Sequence, residues 1–378
     1  DYTIQVRLDD VNHFLHGDVD LKYTNNSPDT LREIKFHLWP NAYRSPKTPM
    51  NINGSHYGKK LLADYKNQGF MDSINFKVNG QSVVTTYVDE FKEMAIVKLS
   101  SPLLPGKAIQ ISTPFRVKIP HNAISRLGHY ENSYQITQWY PKPAVYDREG
   151  WHHMPYLTQG EFYSEFGSFD VSITLPENYV LGASGNLQTA SEVQFMENKI
   201  AQAPAIIDSL SKLKSAKFAK DNQLFNPRIS SSDQLKTVRY TLDNVHDFAF
   251  FAEKGYIVQS GVVKLPHSGR EVKLYAMYYP TNHKVWNNSI DYLRDAVYYY
   301  SLWNGDYPYD VCTAVDGAIA AGGGMEYPTI TVIGNADDTT DLDLVIAHEV
   351  GHNWFYGILG SNERASGWMD EGVNSFNE

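Results

Sequence analysis

The chain has 378 residues, 42% hydrophobic and 20% charged, which is enough for a large core and more than one ordinary domain, so two domains are expected. Its 33 basic and 43 acidic residues give a net charge of −10, and no basic run could follow a phosphate backbone, which excludes nucleic acid as the expected partner. The single cysteine, Cys312, excludes an intrachain disulfide and reads as core packing, so any metal must be held by histidine and carboxylate.

Residues 1 to about 180 alternate apolar and polar side chains in short runs, the pattern of half-buried strands. Ile4, Val6 and Leu8 mark one strand, Val19, Leu21 and Tyr23 a second, and Ile34, Phe36 and Leu38 a third. Ile74, Phe76 and Val78 run into the turn pair Asn79-Gly80, and later strands are marked by Phe115, Val117 and Ile119 and by Phe169, Val171, Ile173 and Leu175. Many strands with turns between them predict an antiparallel β sandwich, and the 13% aromatic content fits sheet packing. His152 and His153 are adjacent, point different ways, and are expected to be ordinary loop histidines.

Residues 189–236 break the pattern. Ile207, Leu210 and Leu213 have helical spacing, and lysines follow at 212, 214, 217 and 220, which predicts an inserted helical excursion with a solvated basic face. Val238, Tyr240 and Leu242 read as the last strand of a first domain spanning 1–254. In the second domain, 255–378, Val262 to Leu265 and Val272 to Tyr278 are expected strands around the turn His267-Ser268-Gly269. Trp286, Ile290, Leu293 and Val297 mark a helix ending near Gly305. Gly322-Gly323-Gly324 offers bare backbone for close approach of a peptide, and Thr329 to Ile333 continues as a strand.

The chemistry is concentrated in the last forty residues. His348-Glu349-Val350-Gly351-His352 places two imidazoles four residues apart, on one face of a helix, where both can hold one metal while Glu349 serves as general base. Thr339, Thr340, Asp341 and Asp343 supply an N-cap and an acidic first turn, and Leu344, Val345, Trp354 and Phe355 surround the histidines with apolar residues. After eighteen intervening residues comes Glu371, which a helix, a loop and a second helix would return to the metal as third ligand.

This arrangement resembles the zinc signature of the M1 (gluzincin) aminopeptidases, the family of aminopeptidase N and leukotriene A4 hydrolase. His352-Asn353-Trp354-Phe355 is similar to the family's H-Q-W-F, Trp368-Met369-Asp370-Glu371-Gly372 to its W-L-N-E-G, and Gly323-Gly324-Met325-Glu326-Tyr327 to its G-[AG]-M-E-N. The resemblance implies an α+β multidomain fold, a saddle-like N-terminal β sandwich followed by the front part of a thermolysin-like zinc catalytic domain. It also implies one Zn2+ on His348, His352 and Glu371, Glu349 as base, and Gly323, Gly324 and Met325 along the substrate. Glu326 is then expected to grip the free amino terminus of a peptide, which makes the enzyme an exopeptidase. Thr137-Gln138-Trp139-Tyr140 is similar to the family's T-Q-x-[EQ], whose last residue helps hold that terminus. Tyr140 carries no charge at neutral pH, so Gln138 is the expected substitute. Tyr327 replaces the family's asparagine.

The sequence stops seven residues after Glu371, before the tyrosine that stabilises the oxyanion in the family, so the chain reads as an N-terminal fragment with apolar surface open for self-association. No stretch approaches a membrane span, and the absence of an initiating methionine together with the single thiol suggests an extracytoplasmic location. Competing readings are a thermolysin-type endopeptidase, an epoxide hydrolase, and a non-catalytic binding or scaffold protein.

Overall fold

Strand alternation sets the first layer. Tyr2–Asp9 buries Tyr2, Ile4, Val6 and Leu8 and turns Thr3, Gln5 and Arg7 outward, because successive strand side chains point to opposite faces. The computed structural model describes residues 1–52, 54–158, 160–212, 229–317 and 323–378. In it, Tyr2–Asp9 pairs antiparallel with Phe14–Thr24, Tyr2 opposite Leu21, and parallel with Gly167–Pro176, Tyr2 opposite Phe169. The sheet expected to be antiparallel therefore holds a parallel pairing, made possible by the long crossover that separates those strands in sequence.

The nine-stranded sheet runs Asn186–Leu187, Leu235–Val245, Gly167–Pro176, Tyr2–Asp9, Phe14–Thr24, Ala108–Lys118, Lys77–Val78 and Gln81–Ser82, with Phe70–Asp72 also on Ala108–Lys118. Asn79 and Gly80, with φ of 50° and 78°, make the expected hairpin turn. One four-stranded sheet orders Lys142–Pro143, Leu31–His37, Met94–Leu103 and Thr85–Tyr87; another orders Gly128–Tyr130, Ser133–Ile136, Phe250–Glu253 and Val180–Ala183. The excursion after residue 189 begins with a helix at Ala190–Ser211, and the expected basic run at Lys214, Lys217 and Lys220 lies outside the described residues, as does Leu213.

Beyond it lies a five-stranded sheet, in the order Ile257–Lys264, Glu271–Tyr278, Val311–Asp316, Ile330–Ile333, Gly324–Tyr327. Its three middle strands are parallel, and both outer strands run antiparallel to their neighbours. Cys312 is buried in it. The helix Ser289–Asn304 covers the sheet with Leu293, Val297 and Tyr300 and stops at Gly305, whose φ of 95° suits glycine. One apolar cluster joins Ile4 and Val171 of the first layers to Leu274, Ile346 and Val350 of the second. Among the described residues no helix is long and apolar enough to cross a membrane. Trp368 and Phe376 near the end of the chain are 67% and 89% exposed.

Candidate metal centre and substrate cleft

The helix carrying the histidines spans Thr339–Gly351. Its N-cap is Asp338, whose carboxylate accepts from Thr340 N and Asp341 N, so the cap falls one residue before the predicted cluster, where the chain is still extended. Leu342, Ile346 and Val350 face the core, whereas Leu344, read from sequence as part of an apolar surround, is 52% exposed at the cleft. Asn353 pins this helix to the sheet: its Oδ1 accepts from Thr329 N at 3.2 Å, at the turn between the last two strands. Trp354 donates from its indole to Gly305 O at 2.8 Å.

The return of Glu371 depends on Asn374. From the helix Glu371–Asn377, the Asn374 amide donates to His348 O at 2.7 Å and its oxygen accepts from Tyr300 OH at 3.0 Å. A side chain at Gly351 would place Cβ 2.1 Å from Asn374 Oδ1, so the helices meet where only glycine fits.

His348 Nε2 and His352 Nε2 then lie 3.2 Å apart, with Glu371 Oε2 at 3.3 and 3.8 Å from them. The opposite ring nitrogens are engaged: His352 Nδ1 meets Asp370 Oδ1 at 2.5 Å and His348 Nδ1 meets Glu378 Oε2 at 3.1 Å. Carboxylates on both Nδ1 atoms hold the protons there and aim two Nε2 lone pairs and a carboxylate oxygen at one point. Ligands about 2.1 Å from zinc in a tetrahedron stand roughly 3.4 Å apart, so the three donors fit that ion. A proton competes with the metal for the same place. The hydrogen bond with Glu371 raises the His348 pKa, and its counterpart lowers that of Glu371. His352 is raised well above its usual value, against the effect of burial, by Glu326 and Asp370.

Glu349 is buried, its Oε2 has no hydrogen-bond partner among the described residues, and burial pushes its pKa up to about 7. Its carboxylate lies against the edge strand so closely that a Cβ on Gly324 would sit 2.4 Å from Oε1. That strand, Gly324–Tyr327, is held by Thr331 Oγ1 donating to Met325 O at 2.9 Å. Glu326 has an oxygen within 4.8 Å of ligand atoms of Glu349 and His352. Gly323, Gly324, Met325, Glu326, the metal triad and Glu349 all line one cleft of about 290 Å³; Gly322 lies outside the described residues.

Two positions weighed from sequence are committed elsewhere. Tyr140 is buried and donates to Asp247 Oδ1 at 2.8 Å. Gln138, the expected second anchor, does not line the cleft: its Oε1 accepts from Tyr327 OH at 3.2 Å and its amide faces Asp247 at 3.5 Å. The Tyr327 side chain is buried. His152, expected on a loop, ends the strand Gly150–His152, and its Nε2 lies 2.7 Å from Asp147 Oδ1. Sequence reasoning assigned no role to Asp370, Glu378, Glu161 or Glu363, all brought to the site; of these only Asp370, beside the third ligand in a quoted motif, had a local signal.

A mixed sheet with an edge strand along a cleft, and successive helices that deliver two histidines and a glutamate, define a zinc-peptidase type of fold. The chain has the fold of the M1 zinc metallopeptidases. It is similar over 100% of its length to the M1 zinc metallopeptidase from Deinococcus radiodurans, covering 68% of that chain at a TM-score of 0.60 and 16% identity. The same figures hold for a variant of a two-domain M1 zinc metallopeptidase bound to L-tryptophan. A variant from Deinococcus radiodurans bound to a Tyr-Ser-Ala substrate matches at a TM-score of 0.59 and 15% identity, again over 100% of this chain and 68% of that one. No family model and no curated protein sequence matches the chain.

Proposed function

We infer that the chain carries the site of a zinc-dependent aminopeptidase, which hydrolyses the first peptide bond of peptides with a free amino terminus. The observation that carries this reading is the position of Glu326, on the edge strand and within 4.8 Å of Glu349 and His352. A carboxylate there can pair with a terminal ammonium, which would favour the first peptide bond. Structural neighbours bound to an amino acid and to a Tyr-Ser-Ala substrate support it.

Zinc held by His348, His352 and Glu371 would supply Lewis acidity at the scissile carbonyl and bring the pKa of a water towards neutrality. Glu349 accepts the proton of the attacking water and passes it to the leaving amine; a carboxyl whose pKa is pushed up to about 7 suits both transfers. The free side of Gly324–Tyr327 pairs with the substrate backbone, and Asp370 and Glu378 hold the two imidazoles in their binding orientation.

The test compares aminoacyl anilides with internally quenched peptides blocked at both ends, with zinc per chain measured alongside. Cleavage of the anilides alone, at about one zinc per chain, is expected. Cleavage of the blocked peptides would indicate a thermolysin-type endopeptidase, and silence on both at full zinc occupancy a binding protein.

A further inference from the structure

Two imidazoles far from the metal centre are stacked on each other. The ring centroid of His13, in the turn between Tyr2–Asp9 and Phe14–Thr24, lies 3.7 Å from that of His129, with the planes inclined by 15°. His13 Nδ1 lies 2.8 Å from Tyr134 OH, whose one proton goes to Asp10 O at 3.2 Å, so the ring nitrogen is the donor. His129 Nδ1 lies 3.1 Å from Glu131 O, and a carbonyl only accepts. In the neutral rings the proton therefore sits on Nδ1, and acid adds a second one at Nε2.

The stack resists that proton. Burial pushes the His129 pKa down to about 3, with His13, His121 and Lys118 adding to the effect and the Glu131 carbonyl opposing it. Burial also lowers His13, against Asp10 and Asp9. These two carboxylates are already engaged, Asp9 by Val11 N and Asn12 N and Asp10 by Tyr179 OH. On the other side the Lys118 ammonium is fixed by the carbonyls of Tyr65, Lys66 and Gln68. Two imidazolium rings at this separation, beside that ammonium, repel strongly. A closed-state pKa below the open-state one gives stabilisation that is complete above pH 6.5 and is lost as pH falls towards 3.

His129 also closes a loop. Its N donates to Pro120 O at 2.9 Å and its O accepts from Asn122 N at 3.0 Å, while Ile119 N donates to His13 O at 2.9 Å. Within the loop, Ser125 Oγ meets Tyr156 OH at 3.1 Å and Leu127 N donates to Tyr43 OH at 3.2 Å. Arg126 grips both oxygens of Glu161, which lines the metal cleft. We propose that the His13–His129 stack is an acid-released clasp on residues 120–129, and that its opening frees Arg126 and with it the hold on Glu161 in the cleft wall. Acid then loosens one wall of the cleft before it unfolds the sheets.

The test is hydrogen exchange of the zinc-loaded chain, followed peptide by peptide at about pH 7.5 and about pH 4.5 and corrected for the intrinsic pH dependence of exchange. It compares the unmodified protein with His129→Phe, which keeps a ring against His13 and takes up no proton. Segments 10–14, 120–130 and 160–166 are read against residues 169–175 of the same chain, which report global loosening. In the unmodified protein, acid should lower the protection of the three segments about 100-fold relative to the strand, the ratio set by a histidine with a pKa of 6.5 when open and about 3 when closed. In His129→Phe the relative protection should hardly change. Acid release of zinc affects both proteins alike, so the comparison isolates His129. If His129→Phe is unprotected throughout at the higher pH, His129→Gln, neutral at every pH, takes its place. An equal acid loss in the variant, or none in the unmodified protein, would overturn the clasp. Loss at 10–14 and 120–130 that leaves 160–166 protected would overturn its link to Glu161.

Discussion

His352 Nδ1 and Asp370 Oδ1 are 2.5 Å apart with side-chain exposures of 1% and 0%, so the imidazole that points at the metal position is held from behind by a fully buried carboxylate. Such a partner fixes the tautomer and raises the basicity of the ligating nitrogen. Asp370→Asn should weaken zinc binding about 10- to 100-fold, measured by competition with a chromogenic chelator. An unchanged affinity would mean that His352 is oriented by packing alone.

Glu349→Gln keeps the shape of the side chain and removes its basicity. Zinc content should stay at that of the unmodified protein while kcat falls by about 10²–10⁴. With a carboxyl whose pKa is pushed up to about 7, kcat/KM should rise with pH along an acid limb as the base ionises. A bound cation favours the carboxylate, so the midpoint of that limb should lie at or below about 7. Full turnover in the glutamine variant would exclude Glu349 as base.

Gly324→Ala introduces a Cβ 2.4 Å from Glu349 Oε1. The carboxylate must move, and a displacement of this order at a reacting group costs about 10²-fold in rate. Zinc, held by the other side chains, should remain. Normal kcat in this variant would show that Glu349 has room that the structure does not provide.

Asn374→Ala removes the amide that links the helix Glu371–Asn377 to His348 O and Tyr300 OH. Leaving these groups unpaired should cost about 1–3 kcal/mol of stability and weaken zinc binding, because Glu371 rides on that helix. Denaturant titration and chelator competition would check both, and loss of stability without loss of zinc would separate the two roles.

His246 is 4% exposed, its ring centroid 3.9 Å from that of Tyr356 with the planes tilted by 58°, and burial pushes its pKa down to about 3 from the ordinary 6.5, with Lys142 adding to the effect. A folded-state pKa below the unfolded one gives stability that is present above pH 6.5 and is lost as pH falls towards 3. Unfolding free energy should therefore drop across that window, and His246→Asn should make the drop shallower by a few kcal/mol on the order set by the shift. Parallel slopes in the two proteins would exclude His246 as a source of acid sensitivity.

The sequence by itself determined the features that local geometry dictates. Imidazoles at 348 and 352 share a helix face because a helix repeats every 3.6 residues, and Ile4, Val6 and Leu8 share a sheet face because a strand repeats every two. The similarity to known motifs then singled out Glu349, Glu326 and Glu371, and the structure brings all of them to one cleft. The tertiary structure decided the features that depend on residues far apart in the chain. Nothing local shows that Tyr140 and Gln138 turn to Asp247 and Tyr327, that Tyr2–Asp9 pairs in parallel with Gly167–Pro176, or that Arg126 presents Glu161 to Glu326. A carboxylate on a loop has the same composition signal whether it faces water or a cleft. Only the packing of separate segments sets its neighbours, and with them its charge state and its partners.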